Sequence, residues 1–391
     1  MLDPLLLLEV LVFLCTFIVV PHLLYYHYIR SHLATPSPVS RLERRDTKVS
    51  VVICTLNAAD VIENKLEQIL RQDYPHSSLE LIVVDGGSTD GTVDILRKIG
   101  DRFSTGMTFR FIENLALKGK ASQINEGFRS ANGEIVVTTD ADVEIHESAI
   151  SSLVDSLSSD QVGAVCSRQV LVNPQTNAAT KTEARYRQYY ESLRIGESNL
   201  HSTPIFHGGL SGYRKDAVRV IDEDVNADDT QLALAALRNG FRAIYVPHIV
   251  FQNVSPVSMS DAWRQRVRRG QGLQRVFWRN RDMLFNRKLG TFGSIVFPAE
   301  FCLHLIAPLI FVSGTVSLIA LAATLLSSSP LAAILGVSTV PPLITSLYVS
   351  RKWSPVELLL TFTLYQAALL WAMILHMFGH NYSRWSRMRR V

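Results

Sequence analysis

The sequence predicts an α/β fold, a mostly parallel sheet with helices on both faces, joined at its two ends to apolar segments of membrane-spanning length. Three observations predict it. Between residues 49 and 138, short apolar runs alternate with segments of helical period, the pattern of strands joined by crossover helices. Polar clusters follow three of those runs, at what would be the carboxyl edge of the sheet, where open α/β sheets bind ligands. Hydrophobic residues make up 47% of the 391 and charged residues only 19%, with a mean hydropathy of +0.15. That excess is concentrated at the two ends.

Residues 5–26 are almost uninterruptedly apolar and long enough to span a bilayer. Asp3 precedes them, and Arg30, His32, Arg41, Arg44, Arg45 and Lys48 follow. The positive-inside rule therefore puts the N-terminus outside and the next domain in the cytoplasm. A cleaved signal peptide is the weaker reading, because the run is too long, has no basic leader and is followed by no small-x-small site. Residues 1–30 thus read as an N-terminal transmembrane anchor. Residues 31–48 read as a basic linker containing Ala34-Thr35-Pro36-Ser37-Pro38.

Residues 49–255 carry the α/β pattern. Strands are predicted at 49–55, 79–84, 109–113, 134–138 and 243–246. Helices are predicted at 60–71, 92–99 and 121–130, the first with Val61, Ile62, Leu66, Ile69 and Leu70 at three-to-four spacing. The polar clusters at the strand ends are Thr55-Leu56-Asn57, Asp85 through Thr92, and Asp140-Ala141-Asp142. Beyond residue 149 the pattern is more mixed. A polar, aromatic helix is predicted at 179–198, and a flexible glycine-rich loop at 207–212. Asp228-Asp229-Thr230 caps a helix at 231–238 that stops at Gly240.

Asp140 and Asp142 stand one residue apart just past a buried run. Burying both as ions without compensation would cost several kcal/mol per charge. A hard divalent ion bridging them to a substrate's phosphates is the natural partner; two exposed loop aspartates are the plain alternative.

Residues 256–291 read as basic amphipathic helices. Between Trp263 and Lys288, Arg264, Arg266, Arg268, Arg269, Arg275, Arg279, Arg281, Arg287 and Lys288 oppose only Asp282. Apolar Trp263, Val267, Leu273, Val276, Phe277 and Trp278 are interleaved. The composition suits helices on an anionic membrane surface. A nucleic-acid-binding helix ranks below it because an apolar block follows at once, and no nucleic acid is expected as a partner.

Residues 292–380 contain segments 306–325, 331–348 and 358–377, each near spanning length, so about three C-terminal transmembrane helices are expected. Arg351-Lys352 and the basic tail 381–391, with Arg384, Arg387, Arg389 and Arg390, would then lie on opposite sides. Either the middle segment, with Pro341-Pro342, is re-entrant, or residues 292–301 contribute another crossing. The four cysteines, Cys15, Cys54, Cys166 and Cys302, show no paired or metal-ligand spacing and read as free thiols.

The ordered stretches CTLNAAD, VVDGGSTDGT, GKASQINEG, TTDADV, GGLSG, ADDTQLALAALRNGFRAIYVP and QRVRR, over residues 49–269, resemble the membrane-bound inverting family-2 glycosyltransferases with a GT-A fold. These include polysaccharide synthases and ceramide glucosyltransferases. Each stretch alone is weak, but seven in the family's order are specific. The resemblance implies a GT-A nucleotide-sugar-binding domain and a hexosyltransferase. It would use a nucleoside-diphosphate donor, UDP-linked in this reading, together with Mg²⁺ or Mn²⁺. Thr55 and Asn57 match the loop around the nucleoside, although Ala58 stands where the family often has Glu. Asp85 matches the aspartate that accepts the base imide proton. Lys120 and Asn125 match a diphosphate site at a helix N-terminus.

Asp142 matches the direct metal ligand, Asp140 the ribose or metal contact, and Glu144 a further ligand in some members; a surface role for Glu144 is equally open. Asp229 matches the catalytic base. His207, Gly209, Ser211 and Gly212 match the acceptor loop. Gln265, Arg268 and Arg269 match the Q-x-x-R-W motif at the acceptor and diphosphate, with Arg269 standing where Trp is expected. The expected acceptor is a polysaccharide or glycolipid hydroxyl at the cytoplasmic face of a membrane, the plasma membrane in this reading, with membrane lipids as partners. A polyprenyl phosphate is the alternative acceptor. A non-catalytic membrane subunit is disfavoured by the intact Asp140, Asp142 and Asp229. A transporter is disfavoured because the C-terminal block carries little charge beyond Glu300 and Glu357.

Overall fold

The computed structural model describes residues 24–33, 46–100, 106–114, 119–218, 220–328 and 355–380. Most of the predicted anchor at 5–26, the Ala34–Pro38 linker, the segment 331–348 and the tail 381–391 lie outside the described residues, as does Cys15. Cys54, Cys166 and Cys302 are free thiols.

An eight-stranded sheet forms the centre, in the order β3-β2-β1-β4-β7-β6-β8-β5. Its strands are β1 (Val49–Thr55), β2 (Leu79–Asp85), β3 (Thr108–Glu113), β4 (Ile135–Asp140), β5 (Glu144–Ile145), β6 (Val162–Leu171), β7 (Leu210–Arg214) and β8 (Arg242–Asn253). β1 and β2 are almost continuously apolar because both of their faces are covered. The helices are α1 (residues 24–31), α2 (Ile62–Leu70), α3 (Thr92–Gly100), α4 (Lys120–Ser130), α5 (Ala149–Leu157), α6 (Ala178–Leu200), α7 (Asp228–Arg238) and α8 (Met259–Arg279). After them come α9 (Phe297–Phe301), α10 (Ala307–Ser328) and α11 (Pro355–Met377).

The expectation of a mostly parallel sheet holds for the first half and for the pairing of β6 with β8. β3, β2, β1 and β4 run parallel, whereas β7 pairs antiparallel with both β4 and β6, and β5 antiparallel with β8. The sheet is therefore mixed. The cause is the segment expected to be a flexible loop. Its glycine-rich end, residues 210–212, instead begins the strand Leu210–Arg214, buried at the centre of the sheet, with Gly212 packed beneath Leu153 and Leu157.

Register aligns the polar clusters on one rim. Thr55 lies opposite Asp85 across β1 and β2, and Cys54 lies opposite Asp140 across β1 and β4. Two apolar clusters form the core on the two faces. One joins α2, α3 and α5 to the sheet, and the other joins α4 and α7 to it and continues to Phe277, Phe292 and Phe297.

α1 lies against α6, where Tyr25 and Ile29 pack on Leu193. Gly196 permits that approach, since a Cβ there would stand 2.3 Å from the Ile29 carbonyl oxygen. α8 packs on α11. Gln274 Nε2 donates to the Leu369 carbonyl at 2.9 Å and to the His304 carbonyl at 3.0 Å. His304 sits in a π-helical turn, Cys302–Ile306, and a second such turn covers Phe292–Val296. Such turns leave backbone groups seeking partners outside the usual ladder.

About three C-terminal spans were expected. Among the described residues one helix, Phe292–Leu321, is long and apolar enough to cross a membrane, and Thr361–Met377 is a shorter apolar helix. Residues 292–301 merge with the segment expected at 306–325 into that one candidate span. Apolar faces of both helices are occupied by the rest of the chain: Phe292 and Phe297 are fully buried, and Ala368 and Ala372 pack with Val267 of α8.

Candidate active site

A cavity of about 770 Å³ opens at the rim where β4, the β7 entry, α4, α6, α7 and α8 meet. Its acidic end is built by the backbone. The Gly209 carbonyl accepts from Thr139 Oγ1 at 2.8 Å and from the Asp140 N–H at 3.2 Å. That pair ties the Gly208-Gly209 turn to the end of β4. Gly119, at φ 103°, leads into α4, which starts at Lys120. Ala227, at φ 67°, leads into α7. A non-glycine residue in this left-handed region carries strain of the kind that collects at functional sites. The three turns bring four charges together.

Lys120 Nζ contacts Asp140 Oδ1 at 2.6 Å and Asp228 Oδ2 at 3.5 Å. Burial acts against its charge, but Asp140 and Asp228 outweigh this and hold Lys120 well above the ordinary lysine value. Burial raises the Asp140 carboxyl, Lys120 opposes the rise, and Asp142 adds to it. Asp229 Oδ1 accepts the Thr230 N–H at 2.8 Å. Burial first, and then repulsion by Asp228, push its carboxyl up to about 7. Gly208 sits among these groups: a Cβ there would stand 3.0 Å from Lys120 Nζ, 3.7 Å from Asp229 Oδ2 and 4.0 Å from Asp140 Oδ2. A carboxyl balanced near neutrality beside a fixed cation is suited to accepting a proton.

Of the residues singled out in the sequence, Lys120, Asp140, Asp142, His207, Gly209, Asp229, Gln265, Arg268 and Arg269 line this cavity. The others do not. Asp85 is fully buried, and it accepts from the Gly87 N–H at 2.9 Å, the Ser88 N–H at 2.8 Å, Thr55 Oγ1 at 3.0 Å and the Ser88 hydroxyl. As it stands it fixes its own turn. Asn57, at φ 53°, accepts the Thr89 N–H at 2.8 Å and so joins the first cluster to the second. Asn125 clamps the Ile221 backbone, donating to its carbonyl and accepting its N–H, both at 2.9 Å, and touches the cavity wall only through Glu223, to whose Oε1 it donates at 3.1 Å. Ser211 is buried and donates to the His207 carbonyl at 2.9 Å. Gly212 lies within the sheet. Glu144 is exposed on edge strand β5, beside a small cleft of about 80 Å³ shared with Asp142.

Four residues were missed. Lys65, buried in the apolar stripe of α2, donates to the Val143 carbonyl at 3.1 Å and supports the Asp140–Val143 turn from below. Burial lowers it to about 7 against the pull of Asp140, Asp142 and Glu144. A lysine flanked by buried Ile62, Leu66 and Ile69 was the available signal. Tyr186, Arg187 and Arg194 of α6 line the other end of the cavity. Their signal was the helical spacing of aromatic and basic residues within 179–198. His207 joins that end, with Nε2 2.9 Å from Arg194 Nη1. Burial and the arginines around it hold its imidazole well below the ordinary value, so it is neutral.

Among the described residues no three His, Cys, Asp or Glu side chains converge as a metal cage. Asp140 and Asp142 nevertheless fit a hard divalent ion. Mg²⁺-type sites take one or two carboxylates, with substrate phosphates and water completing the shell.

Residues 50–222 match the profile of the family described as Glycosyl transferase family 2. The chain is 23% identical to the poly-beta-1,6-N-acetyl-D-glucosamine synthase of Staphylococcus epidermidis over 264 residues, 65% of this chain and 63% of that protein. It is 25% identical to an N-acetylglucosaminyltransferase of Azorhizobium caulinodans over 234 residues, 56% of this chain and 58% of that one. The match thus spans less than two thirds of these curated relatives. Among solved structures, the mannosyltransferase PcManGT from Pyrobaculum calidifontis, in complex with GDP-Man and Mn²⁺, superposes with a TM-score of 0.78 at 29% identity. That match covers 95% of this chain and 99% of that one.

Proposed function

We propose that this chain, whose residues 50–222 match the Glycosyl transferase family 2 profile, moves a hexose from a nucleoside-diphosphate donor to an acceptor hydroxyl with inversion. One observation carries the reading: Lys120, Asp140 and Asp229 crowd around Gly208 in a single cavity. In the reaction the acceptor oxygen bonds to the anomeric carbon as the bond from that carbon to the phosphate oxygen breaks. The nucleoside diphosphate leaves, and the acceptor proton passes to Asp229. Lys120 and Arg268 neutralise charge on the departing diphosphate. Asp140 and Asp142 would hold Mg²⁺ or Mn²⁺, which when bound supplies Lewis-acid neutralisation of the same leaving group.

The likeness over 95% of the chain to a structure holding GDP-Man supports mannose as the sugar and GDP as its carrier. The second reading is an N-acetylglucosamine donor carried on UDP. It is favoured by the similar N-acetylglucosamine polymer synthase and by the nucleoside loop read in the sequence. The acceptor is a polysaccharide or glycolipid hydroxyl. The Phe292–Leu321 helix anchors the enzyme to the membrane, with the transferase domain on the cytoplasmic side.

The test is nucleoside-diphosphate release by the purified full chain, supplied with GDP-mannose or UDP-N-acetylglucosamine in membranes. Release with one donor, abolished by EDTA and restored by Mn²⁺, is expected. No metal-dependent release with either donor would overturn the proposal.

A further inference from the structure

The end of the cavity opposite Asp229 carries more positive charge than the chain itself balances. Glu183 of α6 is its buried counter-ion. It pairs with Arg187 Nη2 at 2.7 Å, Arg269 Nη1 at 2.9 Å and Arg266 Nε at 3.7 Å, and it accepts from the Tyr365 hydroxyl at 2.8 Å. Burial opposes its charge, but Arg187, Arg269 and Arg266 hold it down at about 2. Arg194 is also buried, and donates to the Ile205 carbonyl at 2.8 Å and toward neutral His207. Among the described residues no carboxylate lies within ion-pair distance of Arg194. Glu191 is engaged by Arg168 at 2.9 Å, and burial raises the carboxyl of Glu197. Three guanidiniums therefore share Glu183, and Arg194 has no ion-pair partner among the described residues.

Hydrogen-bonding capacity is also unfilled at two of them. Arg187 Nε, Arg266 Nε and Arg266 Nη2 are buried without a hydrogen-bond partner among the described residues. Buried charges are ordinarily paired, and an unpaired one is costly. Of these two residues Arg187 lines the open cavity, as do Arg194 and Arg269; Arg266 is not in its lining and stacks over the Tyr365 ring. An excess of buried, partly unpartnered guanidinium on a cavity wall is the arrangement that recognises a tetrahedral oxyanion.

We propose that Arg187, Arg194 and Arg269 form a subsite for a phosphate-type oxyanion carried by the acceptor, separate from the place of the donor diphosphate. It rests on the donor reading above, which puts the diphosphate near Lys120 and Arg268. Glu183 is its positioning residue: it holds Arg187 and Arg269 in place and limits how strongly they attract an anion. An acceptor of this class presents a phosphate group and a free hydroxyl to the same cavity, as a phospholipid-linked sugar does.

The test titrates methyl phosphate into the full chain by calorimetry, alone and with saturating nucleoside diphosphate and Mg²⁺. Methyl phosphate is expected to bind in both conditions, about tenfold or more weakly in Arg269→Gln, where one charge-assisted partner is removed. It is expected to bind more tightly in Glu183→Gln, where the internal counter-charge is gone. The opposite directions separate a subsite from general loss of folding. Displacement of methyl phosphate by the nucleotide would place the anion at the donor diphosphate and overturn the proposal. So would undetectable binding, or equal affinity in both variants. Failure of the nucleotide to bind would remove the donor reading alone, because the titration without nucleotide still reads the subsite.

Discussion

Gly208→Ala is a one-methyl perturbation of the most crowded point in the site. The new Cβ would stand 3.0 Å from Lys120 Nζ, tighter than carbon and nitrogen ordinarily approach, and 3.7 Å from Asp229 Oδ2. Gly208 is not among the glycines at positive φ, so alanine fits its backbone. The ammonium at the end of a flexible chain is the group that gives way. It leaves Asp140 Oδ1, now at 2.6 Å, and Asp228 Oδ2, now at 3.5 Å. Hydrogen bonds to charged groups contribute about 1.5–3 kcal/mol. Lys120 and Asp140 retain 26% and 31% side-chain exposure, so the lower half of that range applies. With each 1.4 kcal/mol worth tenfold, kcat/KM for the donor should fall on the order of 10- to 50-fold. The thermal midpoint should stay close to that of the parent. The assay is initial-rate nucleoside-diphosphate release against donor concentration, with circular dichroism as the check on folding. A variant within twofold of the parent would refute the crowding of Lys120, Asp140 and Asp229 as the functional arrangement.

Three further expectations follow from the same geometry. Asp142→Ala should abolish the gain in donor affinity that Mn²⁺ confers; unchanged Mn²⁺-dependent affinity by calorimetry would count against a metal role for Asp142. The carboxyl of Asp229 is raised to about 7, and only its deprotonated form can accept a proton. The donor kcat/KM should therefore rise about tenfold per pH unit on the acid side and level off near or, with a cation bound, below pH 7; a profile flat from pH 5 upward would contradict this. Asn125→Ala should lower unfolding stability by about 1–3 kcal/mol, since it leaves the buried Ile221 N–H and carbonyl unpaired, yet leave the donor KM unchanged. A raised KM at unchanged stability would restore Asn125 to the donor site.

The first half of the sheet was legible because β1, β2 and β4 are buried on both faces and its helices show a clean apolar period. The alternation from Val49 to Asp140 follows from those two facts. β7 was not legible because Gly209, Ser211 and Gly212 have the composition of a loop. Only the neighbouring strands and Leu153 and Leu157 turn them into a central strand. At the site, the acidic residues carried their own signal, since paired carboxylates demand compensation. Asp85 and Asn125 show its limit. A polar residue near a ligand-binding rim can be engaged by its own fold, Asp85 by four donors and Asn125 by the Ile221 N–H and carbonyl and by Glu223. Lys65, Arg187 and Arg194, whose sequence signals were weak, were missed for the opposite reason. Each sits on a helix whose other features explain it, and only tertiary packing turns it toward the site.

The central claim is that Asp229 takes the acceptor proton in a sugar transfer from a nucleoside-diphosphate donor. Asp229→Asn in the purified full chain tests it most directly, with donor binding and nucleoside-diphosphate release measured in the same preparation at saturating Mn²⁺. The account predicts donor affinity within about threefold of the parent and a turnover lower by about 10²–10⁴-fold. Turnover near the parental rate would remove Asp229 as the base and contradict the account.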